Sequence, residues 1–402
     1  MRHSTAATSI SIFWGLLLVG CGDGGGGSPW RGTVDTLAGG QVVVHNPAVP
    51  IWEPGAEWRV VEEERIGRMS GEGPDLFGAV LSFDVDRGGR IWALESQSQE
   101  LRVFDSLGVY VRTVGRRGGG PGEFAQALNV ELGPDGNVWV MDPSNNRLSV
   151  FDTTGVYLEG HPALGGFIII PWPGRFDASG SYYAPVPLTD GEFRVGMVRF
   201  DSSMTAVDTL SPPEDPVERE RFEHHNDSGG VMMASVPYQG SLIWRISEAG
   251  TIWAILTDEY RLFEMNAEGD TLRTITRAFD PIPVTGADRD RAREDLEWFV
   301  SQGGRIDLSR IPSHKPPVRS FFRDDEGDIW VEVTTSQEES GRVFDVFDFN
   351  GRYLGPVHLP FSLSASPAPI LRDGVLWGIS RDELDVVSIV RARVLKSPEV
   401  SG

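Results

Sequence analysis

Apolar and polar residues alternate in short segments along most of this chain, and one such pattern returns at a fixed interval. Gly89–Trp92 and Val103–Gly108 reappear, with substitutions, as Gly136–Trp139 and Val150–Gly155, each residue 47 positions later. Strict alternation over a few residues predicts a strand with one buried face. A repeat of about 40 to 50 residues built from such strands is typical of a β-propeller blade.

Six aromatic residues, each just after a glycine-containing turn, mark six repeats of this pattern. They are Trp92, Trp139, Tyr183, Trp253, Trp330 and Trp377. The intervals between them are 47, 44, 70, 77 and 47 residues, so the two long intervals contain insertions, which we place at 211–241 and 277–317. The sequence therefore predicts an all-β fold, a six-bladed β-propeller of four-stranded antiparallel blades with one helical insertion.

The last blade lacks a fourth strand, because the chain nearly ends after the strand predicted at 386–394. Residues 58–67 resemble the outer strand of the first blade, 109–115. We therefore predict that this amino-terminal strand closes the ring against the last blade, which removes an open sheet edge. Residues 41–44 predict one more strand, whose partner the sequence leaves open.

The order of strands in a blade assigns each loop to one of two faces. Turns between the first and second strands and between the third and fourth lie on one face, which we call the plain face. Loops between the second and third strands and crossings between blades lie on the other face. Both insertions fall there, so we call it the insertion-bearing face. Large insertions on one face of a repeat ring typically mark a binding face.

The second insertion contains a predicted helix. Thr285 with Asp288 forms a capping box at its start, and Gly303-Gly304 ends it. Its apolar stripe consists of Ala292, Leu296, Phe299 and Val300. We interpret the helix as a plug that packs over the mouth of the axial channel, in preference to a moving lid.

The first twenty residues, 1–20, are predicted to be a signal peptide rather than part of the fold. The apolar run 10–19 is too short to span a bilayer, and Leu18-Val19-Gly20-Cys21 resembles a bacterial lipoprotein signal. Cys21, the only cysteine, is therefore the predicted lipidation site. Residues 21–36 are predicted to form a lipidated, glycine-rich tether, and 37–397 the propeller.

The residue after the cysteine bears on localisation. Gly22 stands where Asp would retain many bacterial lipoproteins at the inner membrane, so the resemblance favours the outer membrane. We expect an exported protein held to the membrane by its lipid alone, with the globular part in the periplasm or at the cell surface.

Composition narrows the range of partners. The 402 residues include 58 acidic and 36 basic side chains, a formal charge of −22, so nucleic acid and anionic lipid headgroups are unfavourable partners for the bulk surface. The seven histidines do not recur at one place in successive blades, and the adjacent His224 and His225 would point opposite ways on a strand. We therefore predict no catalytic residue, no metal and no cofactor.

Candidate binding residues come from loops of the insertion-bearing face: Arg116, Arg117, Glu123, Asn146 and Tyr260. Arg116 and Arg117 are neighbouring guanidinium groups on an acidic protein, and such a pair can hold a carboxylate or sulfate. Ordinary surface solvation is the commoner explanation for such a pair.

Two motifs resemble catalytic or phosphate-binding sequences, but we interpret both as structural. In Asp142–Arg147 the Asp and Asn side chains are expected to cap backbone groups, and Arg147 to pair with a carboxylate on a neighbouring strand. Gly118–Gly122 lacks the Lys-Ser/Thr of a phosphate-binding loop and is interpreted as a tight crossing between blades.

The motifs Gly-x-[Ile/Val]-Trp, Phe-Asp-x-x-Gly, Asp142-x-x-Asn145-x-Arg147 and Gly118–Phe124 together resemble six-bladed propellers of the NHL-repeat-like type, most clearly over residues 78–160. More narrowly, the chain is similar to bacterial six-bladed propeller lipoproteins. Most members of that group have no assigned activity, although some related propellers are lyases, lactonases or amidating enzymes with metal-binding side chains around the axis.

These observations predict a lipid-anchored binding or scaffold module of the cell envelope. Its partner, an envelope protein or a small-molecule or glycan ligand, is expected on the insertion-bearing face. An alternative is a metal-dependent lyase or hydrolase with its site in the axial channel. A third possibility is a purely structural envelope protein, since a fold does not name its ligand.

Overall fold

Six four-stranded antiparallel blades form a β-propeller, as predicted from the sequence. The computed structural model describes residues 30–162, 175–188, 194–225, 229–336 and 342–396. The predicted signal peptide, Cys21 and the glycine-rich part of the tether lie outside the described residues. Three strands precede the first blade: β1 (Thr33–Thr36), β2 (Val42–Asn46) and β3 (Arg59–Ile66).

Within a blade the first strand lies nearest the propeller axis and the fourth lies outermost. Blade one contains β4 (Val80–Val85), β5 (Ile91–Glu95), β6 (Glu100–Phe104) and β7 (Tyr110–Val114). Blade two contains β8 (Asn129–Leu132), β9 (Val138–Asp142), β10 (Arg147–Phe151) and β11 (Tyr157–Pro162). Blade three contains β12 (Arg175–Phe176), β13 (Tyr182–Leu188), β14 (Arg194–Phe200) and β15 (Ala206–Leu210).

The insertions follow blades three and four. The first contains the hairpin of β16 (Arg221–His225) and β17 (Val231–Ser235). Blade four contains β18 (Leu242–Ile246), β19 (Ile252–Leu256), β20 (Arg261–Met265) and β21 (Thr271–Arg277). The second insertion contains β22 (Ile282–Pro283), α1 (Gly286–Asp295), α2 (Glu297–Ser301), a 3-10 helix (Leu308–Arg310) and β23 (His314–Lys315).

The last two blades complete the ring. Blade five contains β24 (Val318–Arg323), β25 (Ile329–Val333), β26 (Arg342–Phe347) and β27 (Tyr353–Leu359). Blade six contains β28 (Ile370–Arg372), β29 (Val375–Arg381) and β30 (Val387–Leu395), with β3 as its fourth strand.

Strand β3 closes the ring, as predicted. It pairs antiparallel with β30, from Arg59 opposite Leu395 to Ile66 opposite Ile389. Val60 packs into the apolar core between blades five and six, whereas Ile66 packs into the core between blades six and one. The amino-terminal strand therefore joins two blade interfaces in addition to covering the last strand edge.

The segment predicted as a strand at 41–44 forms β2, and the structure shows its partner. Strand β2 pairs parallel with β21, the outer strand of blade four, and β1 pairs antiparallel on its outer side, so this sheet has six strands. Asn46 at the end of β2 is buried. Its Nδ2 donates to the Gly351 carbonyl at 2.9 Å, and its Oδ1 accepts from the Tyr353 backbone N–H at 2.8 Å. This side chain ties the two added strands to blade five.

The folded part of the chain begins earlier than the predicted boundary between tether and propeller. Strand β1 lies inside the segment 21–36 that the sequence assigned to the tether. Before it, the Trp30 indole N–H donates to Asn46 Oδ1 at 3.0 Å, and the Arg352 guanidinium lies 5.4 Å from the Trp30 ring centroid. The chain is thus attached to blades four and five from Trp30 onward.

The six aromatic residues of the repeated pattern lie in the second strands, where they pack between neighbouring blades. Trp92, Trp253 and Trp330 are at most 2% exposed. Trp92, for example, shares one apolar core with Val130 of the next blade. Trp139 differs, because it is half-buried and stacks on the His161 ring at 5.4 Å. The pattern repeats because each blade interface needs a large apolar side chain at this position.

The repeated Phe-Asp-x-x-Gly phrase organises turns on the plain face. Asp105 Oδ1 accepts from the backbone N–H groups of Leu107 and Val109, both at 2.9 Å, and Gly108 has φ 77°. Asp152, 47 residues later, accepts two backbone N–H groups in the same way. The carboxylate holds the turn, and glycine tolerates its positive φ.

The predicted helix is present, but it is divided. Thr285 and Asp288 form the expected capping box, in which the Asp288 N–H donates to Thr285 Oγ1 at 3.2 Å. Leu296, with φ −96° and ψ 4°, separates α1 from α2. Val300 is 44% exposed, so the predicted apolar stripe is reduced to Ala292, Leu296 and Phe299. Among the described residues, no helix is both long enough and apolar enough to cross a bilayer.

Candidate functional site

The two insertions fold onto each other and share one apolar core, separate from the cores between blades. The Phe299 side chain of α2 is fully buried, and its ring centroid lies 6.5 Å from that of Phe222 in β16. The buried members of this core are Phe222, Ala234, Val236, Ala292, Leu296, Phe299 and Ile311. We call the unit formed by residues 211–241 and 278–317 the cap.

Polar contacts also join the two halves of the cap. Arg310 forms an ion pair with Glu220 at 2.5 Å, and the Tyr238 hydroxyl donates to the Asp288 carbonyl at 3.3 Å. Lys315 pairs with the Asp288 carboxylate at 2.7 Å. Burial raises the pKa of Asp288, but the Lys315 ammonium and the Thr285 donors outweigh it and hold that pKa at about 2. The helices are therefore fixed to the first insertion, whereas a plug over the channel mouth stays a prediction.

The cap exposes large apolar side chains on two of its elements. Val231 and Met233 of β17 are 52% and 49% exposed, and Trp298 and Val300 of α2 are 47% and 44% exposed. Single exposed apolar residues are common on any protein surface. Four on one small unit, with a tryptophan and a methionine among them, are more typical of a surface that contacts a partner.

Three of the predicted binding residues lie together in the crossing from blade one to blade two. The Arg116 guanidinium pairs with Glu123 at 2.7 Å, and Glu123 also accepts from the Gly120 N–H at 2.9 Å. These two donors, the Gly120 N–H first and Arg116 second, lower the pKa of Glu123. Arg117 donates to the Gln97 carbonyl at 2.7 Å. The Arg116 side chain remains 79% exposed, which leaves it accessible to a ligand.

Asn146 is exposed in the neighbouring loop and adopts the left-handed conformation, φ 48°, that asparagine tolerates in turns. In the same loop, Asp142 accepts from the Ala125 and Gln126 N–H groups at 2.6 and 3.1 Å, as expected of a capping side chain. The prediction for Arg147 requires correction. It donates to the carbonyls of Gly120 and Glu123 at 2.6 and 2.9 Å rather than to a carboxylate.

Tyr260 lies apart from the other four candidates and is only 1% exposed. Its hydroxyl donates to Asp345 of blade five. The same carboxylate accepts from the Tyr353 hydroxyl at 2.8 Å and pairs with Arg277 at 3.2 Å. Tyr260 therefore belongs to a buried polar cluster that joins blades four and five.

A second group of charged residues lies around the propeller axis. Asp84, Glu131, Arg175 and Arg245 occupy the inner strands of blades one to four, each directly opposite the aromatic residue of the second strand. Arg372 ends the inner strand of blade six. Each residue lies within two positions of a plain-face turn, so the group surrounds the plain-face end of the axial channel. We call these five residues the axial charge cluster.

Several members of the axial charge cluster reach across to the inner strand of the next blade. Asp84 Oδ2 accepts from the Leu132 N–H at 2.8 Å. Arg245 Nε donates to the Phe321 carbonyl at 2.9 Å, and Arg372 Nη1 donates to the Val85 carbonyl at 3.1 Å. All five side chains are half-buried.

The pKa values of three members of the axial charge cluster are shifted from their ordinary values. Burial and the nearby Asp84 carboxylate raise the pKa of Glu131 to about 8, against the opposing effect of Arg175. Burial likewise raises the pKa of Asp84. Burial and the positive charge of Arg175 lower the pKa of Arg245 to about 10. Perturbed titratable groups in a channel are typical of functional sites.

Replacing Glu131 with glutamine is expected to stabilise the protein increasingly as pH rises. Between the ordinary pKa of 4.5 and about 8 the unfolded chain ionises Glu131 while the folded chain keeps it protonated, so wild-type stability is lost across this window. The advantage of Glu131→Gln in unfolding free energy should grow by about 2 kcal/mol from pH 5 to pH 8, a value reduced for partial access to water. Urea unfolding at both pH values measures it.

The matched control for this substitution is Glu383→Gln, which removes an exposed carboxylate. Its unfolding free energy should follow that of the wild type at both pH values. A constant difference between Glu131→Gln and the wild type from pH 5 to pH 8 would contradict the raised pKa.

The axial charge cluster was not identified from the sequence, although a signal was present. Asp84, Glu131, Arg175 and Arg245 each stand eight residues before the aromatic residue of their blade. A charged side chain at one repeat position of an otherwise apolar inner strand is the pattern that identifies them. Within the described part of the chain, no three His, Cys, Asp or Glu side chains are grouped as a metal site requires.

Comparisons with known proteins agree with the architecture. A family model described as a 6-bladed beta-propeller matches residues 84–161, which correspond to most of blades one and two. No curated protein matches the sequence at a significant level.

Several solved structures are similar to this chain at low identity. A Bacteroides fragilis protein provisionally named an exported protein is 12% identical, with 88% of this chain and 99% of that chain covered and a TM-score of 0.48. Virginiamycin B lyase from Staphylococcus aureus is 10% identical over 84% of this chain and 100% of that chain, with a TM-score of 0.43. A gluconolactonase from Xanthomonas campestris is 11% identical over 76% and 82%, with a TM-score of 0.39.

Proposed function

We propose that this chain is an exported, lipid-anchored propeller that binds a protein of the cell envelope through the cap on its insertion-bearing face. The observation that carries the proposal is the shared core of the cap. Two segments that leave the ring at different blades bury Phe222, Leu296 and Phe299 against each other. A crossing between blades needs only a few residues, so a separate folded unit on one face supports a role beyond ring closure.

The exposed side chains of the cap support a protein partner. Trp298 and Met233 present large apolar surfaces, and such residues supply much of the binding free energy in protein interfaces. Arg116, exposed on the same face, adds a guanidinium suited to the polar rim of an interface. The plain face consists mainly of short turns held by their own Asp side chains, which leaves less surface for a partner.

The proposed anchor is a lipid on Cys21. Eight residues, 22–29, lie between Cys21 and Trp30, where the chain attaches to blades four and five. A flexible glycine-rich segment of this length has an average span of about 17 Å. The propeller would therefore stay close to the membrane, attached through the side of the ring on which β1 and β2 lie.

Affinity capture after crosslinking in intact cells tests this function. The full chain with its native amino terminus is expected to capture one partner, and the double variant Trp298→Ser/Met233→Ser to lose at least about tenfold of that yield, as loss of interface anchors predicts. Leu107→Ser is the matched control, because it removes a 70% exposed apolar side chain from the plain face. A Cys21→Ser variant should leave the membrane fraction.

The outcomes separate the parts of the proposal. Equal capture by the cap variant and the Leu107→Ser control would overturn the cap as the binding surface. If Arg116→Ala/Arg117→Ala alone abolished capture, the partner would instead contact the crossing between blades one and two. Retention of Cys21→Ser in the membrane fraction would overturn the lipid anchor.

A further inference from the structure

We propose that the plain-face end of the axial channel binds a small dianion carrying carboxylate or phosphate groups, held by Arg175, Arg245 and Arg372. This site lies on the side of the ring opposite the cap and does not depend on the proposed protein-binding function. It rests on hydrogen bonding, charge balance and position within the axial charge cluster.

Two of the three guanidinium groups are already fixed in place. Arg245 uses Nε and Nη2 to donate to the carbonyls of Phe321 and Ala365, both at 2.9 Å. Arg372 uses Nη1 to donate to the Val85 carbonyl at 3.1 Å. A guanidinium carries five N–H groups, so these backbone bonds orient each group while other N–H groups stay available to a ligand. Such preorganisation reduces the entropy lost on binding.

The third guanidinium, that of Arg175, has a buried donor without an acceptor, because its Nε makes no hydrogen bond within the described residues. Its positive charge is also close enough to Arg245 to lower the pKa of that side chain. A buried donor without an acceptor and two neighbouring positive charges are both unfavourable, and one bound anion relieves both.

The charge balance of the axial charge cluster favours an anion. The five side chains are three arginines and two acids, Asp84 and Glu131. With both acids ionised the cluster keeps one excess positive charge, and with Glu131 protonated at neutral pH it keeps two. This excess occurs in a chain whose formal charge is −22. A local positive site on an acidic protein concentrates small anions where the bulk surface repels them.

The chemistry and the space define the ligand class. Arginine pairs with carboxylate and phosphate through two parallel N–H···O bonds, which matches planar or tetrahedral oxyanions. Two excess charges correspond to a dianion. The inner strands of neighbouring blades contact one another, as β4 does β8 and β8 does β12, so the ligand must be small.

Titration of the purified full chain with succinate and with inorganic phosphate, each at constant ionic strength, tests the proposal. Calorimetry is expected to show saturable binding of at least one probe, and Arg175→Gln to weaken it about tenfold or more, the usual effect of losing a charged hydrogen bond. Arg175→Lys, which keeps the charge, should recover part of the affinity. Arg87→Gln is the matched control, because it removes an exposed arginine of a plain-face turn that is not part of the axial charge cluster.

A second measurement uses the wild type alone and therefore does not depend on how the variants fold. The groups facing Glu131 are Asp84 from β4, Arg175 from β12 and Tyr182 from β13. Among them Glu131 itself changes charge near pH 8. Succinate stays fully ionised above neutral pH, so its affinity should fall between pH 7 and pH 9 as Glu131 becomes negative.

Three results would overturn the proposal: no saturable binding of succinate or phosphate by the wild type, equal affinity in Arg175→Gln, or equal losses in Arg175→Gln and Arg87→Gln. The last result would indicate general screening of charge rather than a site. None of these results bears on partner capture by the cap, so failure here and failure of the proposed function remain distinguishable.

Discussion

A chain that begins after Ile66 is expected to lose its cooperative unfolding transition, whereas a chain that begins at Glu57 keeps one. The longer chain retains β3 and, of the strands, loses β1 and β2. The shorter chain also loses Val60 and Ile66, whose burial contributes about 3 to 6 kcal/mol, together with the backbone pairing of β3 with β30. Net stabilities of proteins are about 5 to 15 kcal/mol, so this loss approaches the whole.

Thermal unfolding followed by circular dichroism distinguishes the two chains. The chain beginning at Glu57 should show a single transition with a lower midpoint than the full protein, since Asn46 and Trp30 no longer tie blade four to blade five. The shorter chain should show a broad, weakly cooperative change and a tendency to aggregate through the exposed edge of β30. Equal midpoints for both chains would contradict the role of β3.

The second large effect is expected from Asp345→Ala, which should destabilise the protein by about 3 to 5 kcal/mol. Asp345 is 3% exposed and accepts from the Tyr260 and Tyr353 hydroxyl groups while pairing with Arg277. Without the carboxylate, the Arg277 guanidinium, 4.3 Å from the Tyr353 ring centroid, stays largely buried with no opposite charge. Chemical denaturation at neutral pH measures the loss.

The control for this prediction is an exposed carboxylate that also pairs with an arginine. Asp208 pairs with Arg199 at 2.6 Å, but 40% of its side chain is exposed, so Asp208→Ala should cost less than about 1 kcal/mol. Asp345→Asn keeps one acceptor and removes the charge, and it should lie between the wild type and Asp345→Ala. Equal effects of the substitutions at Asp345 and Asp208 would show that burial of the cluster does not matter.

Local patterns in the sequence were sufficient for the blades. The aromatic residue of each second strand and the Phe-Asp-x-x-Gly turn both act within a few residues of their position, so their repetition could be counted. The similarity of residues 58–67 to an outer strand likewise placed β3 correctly in blade six. The capping box of Thr285 and Asp288 is also local, and it marks the start of α1 correctly.

Contacts between segments that are distant in the chain produce no comparable local pattern in the sequence. Strand β2 pairs in parallel with β21, and Asn46 bonds to Tyr353, 307 residues away. Neither contact imposes a periodic pattern on residues 41–46. The cap core forms only because two insertions that are far apart in the sequence pack together. The buried position of Tyr260 likewise depends on a distant residue, Asp345 of another blade. The sequence could therefore nominate loop residues such as Arg116 and Tyr260, but it could not show which residues surround them.

The pairing of β3 with β30 has a consequence for the order of events during synthesis. Arg59 and Leu395 lie at opposite ends of the chain yet share one sheet, and the ribosome produces the first long before the second. Until β30 has been made, β3 has no partner, and blades one to five must assemble as an open arc. Contacts of such large sequence separation slow folding. Blade six should therefore form last, and a nascent chain remains sensitive to proteolysis until its final strand is complete.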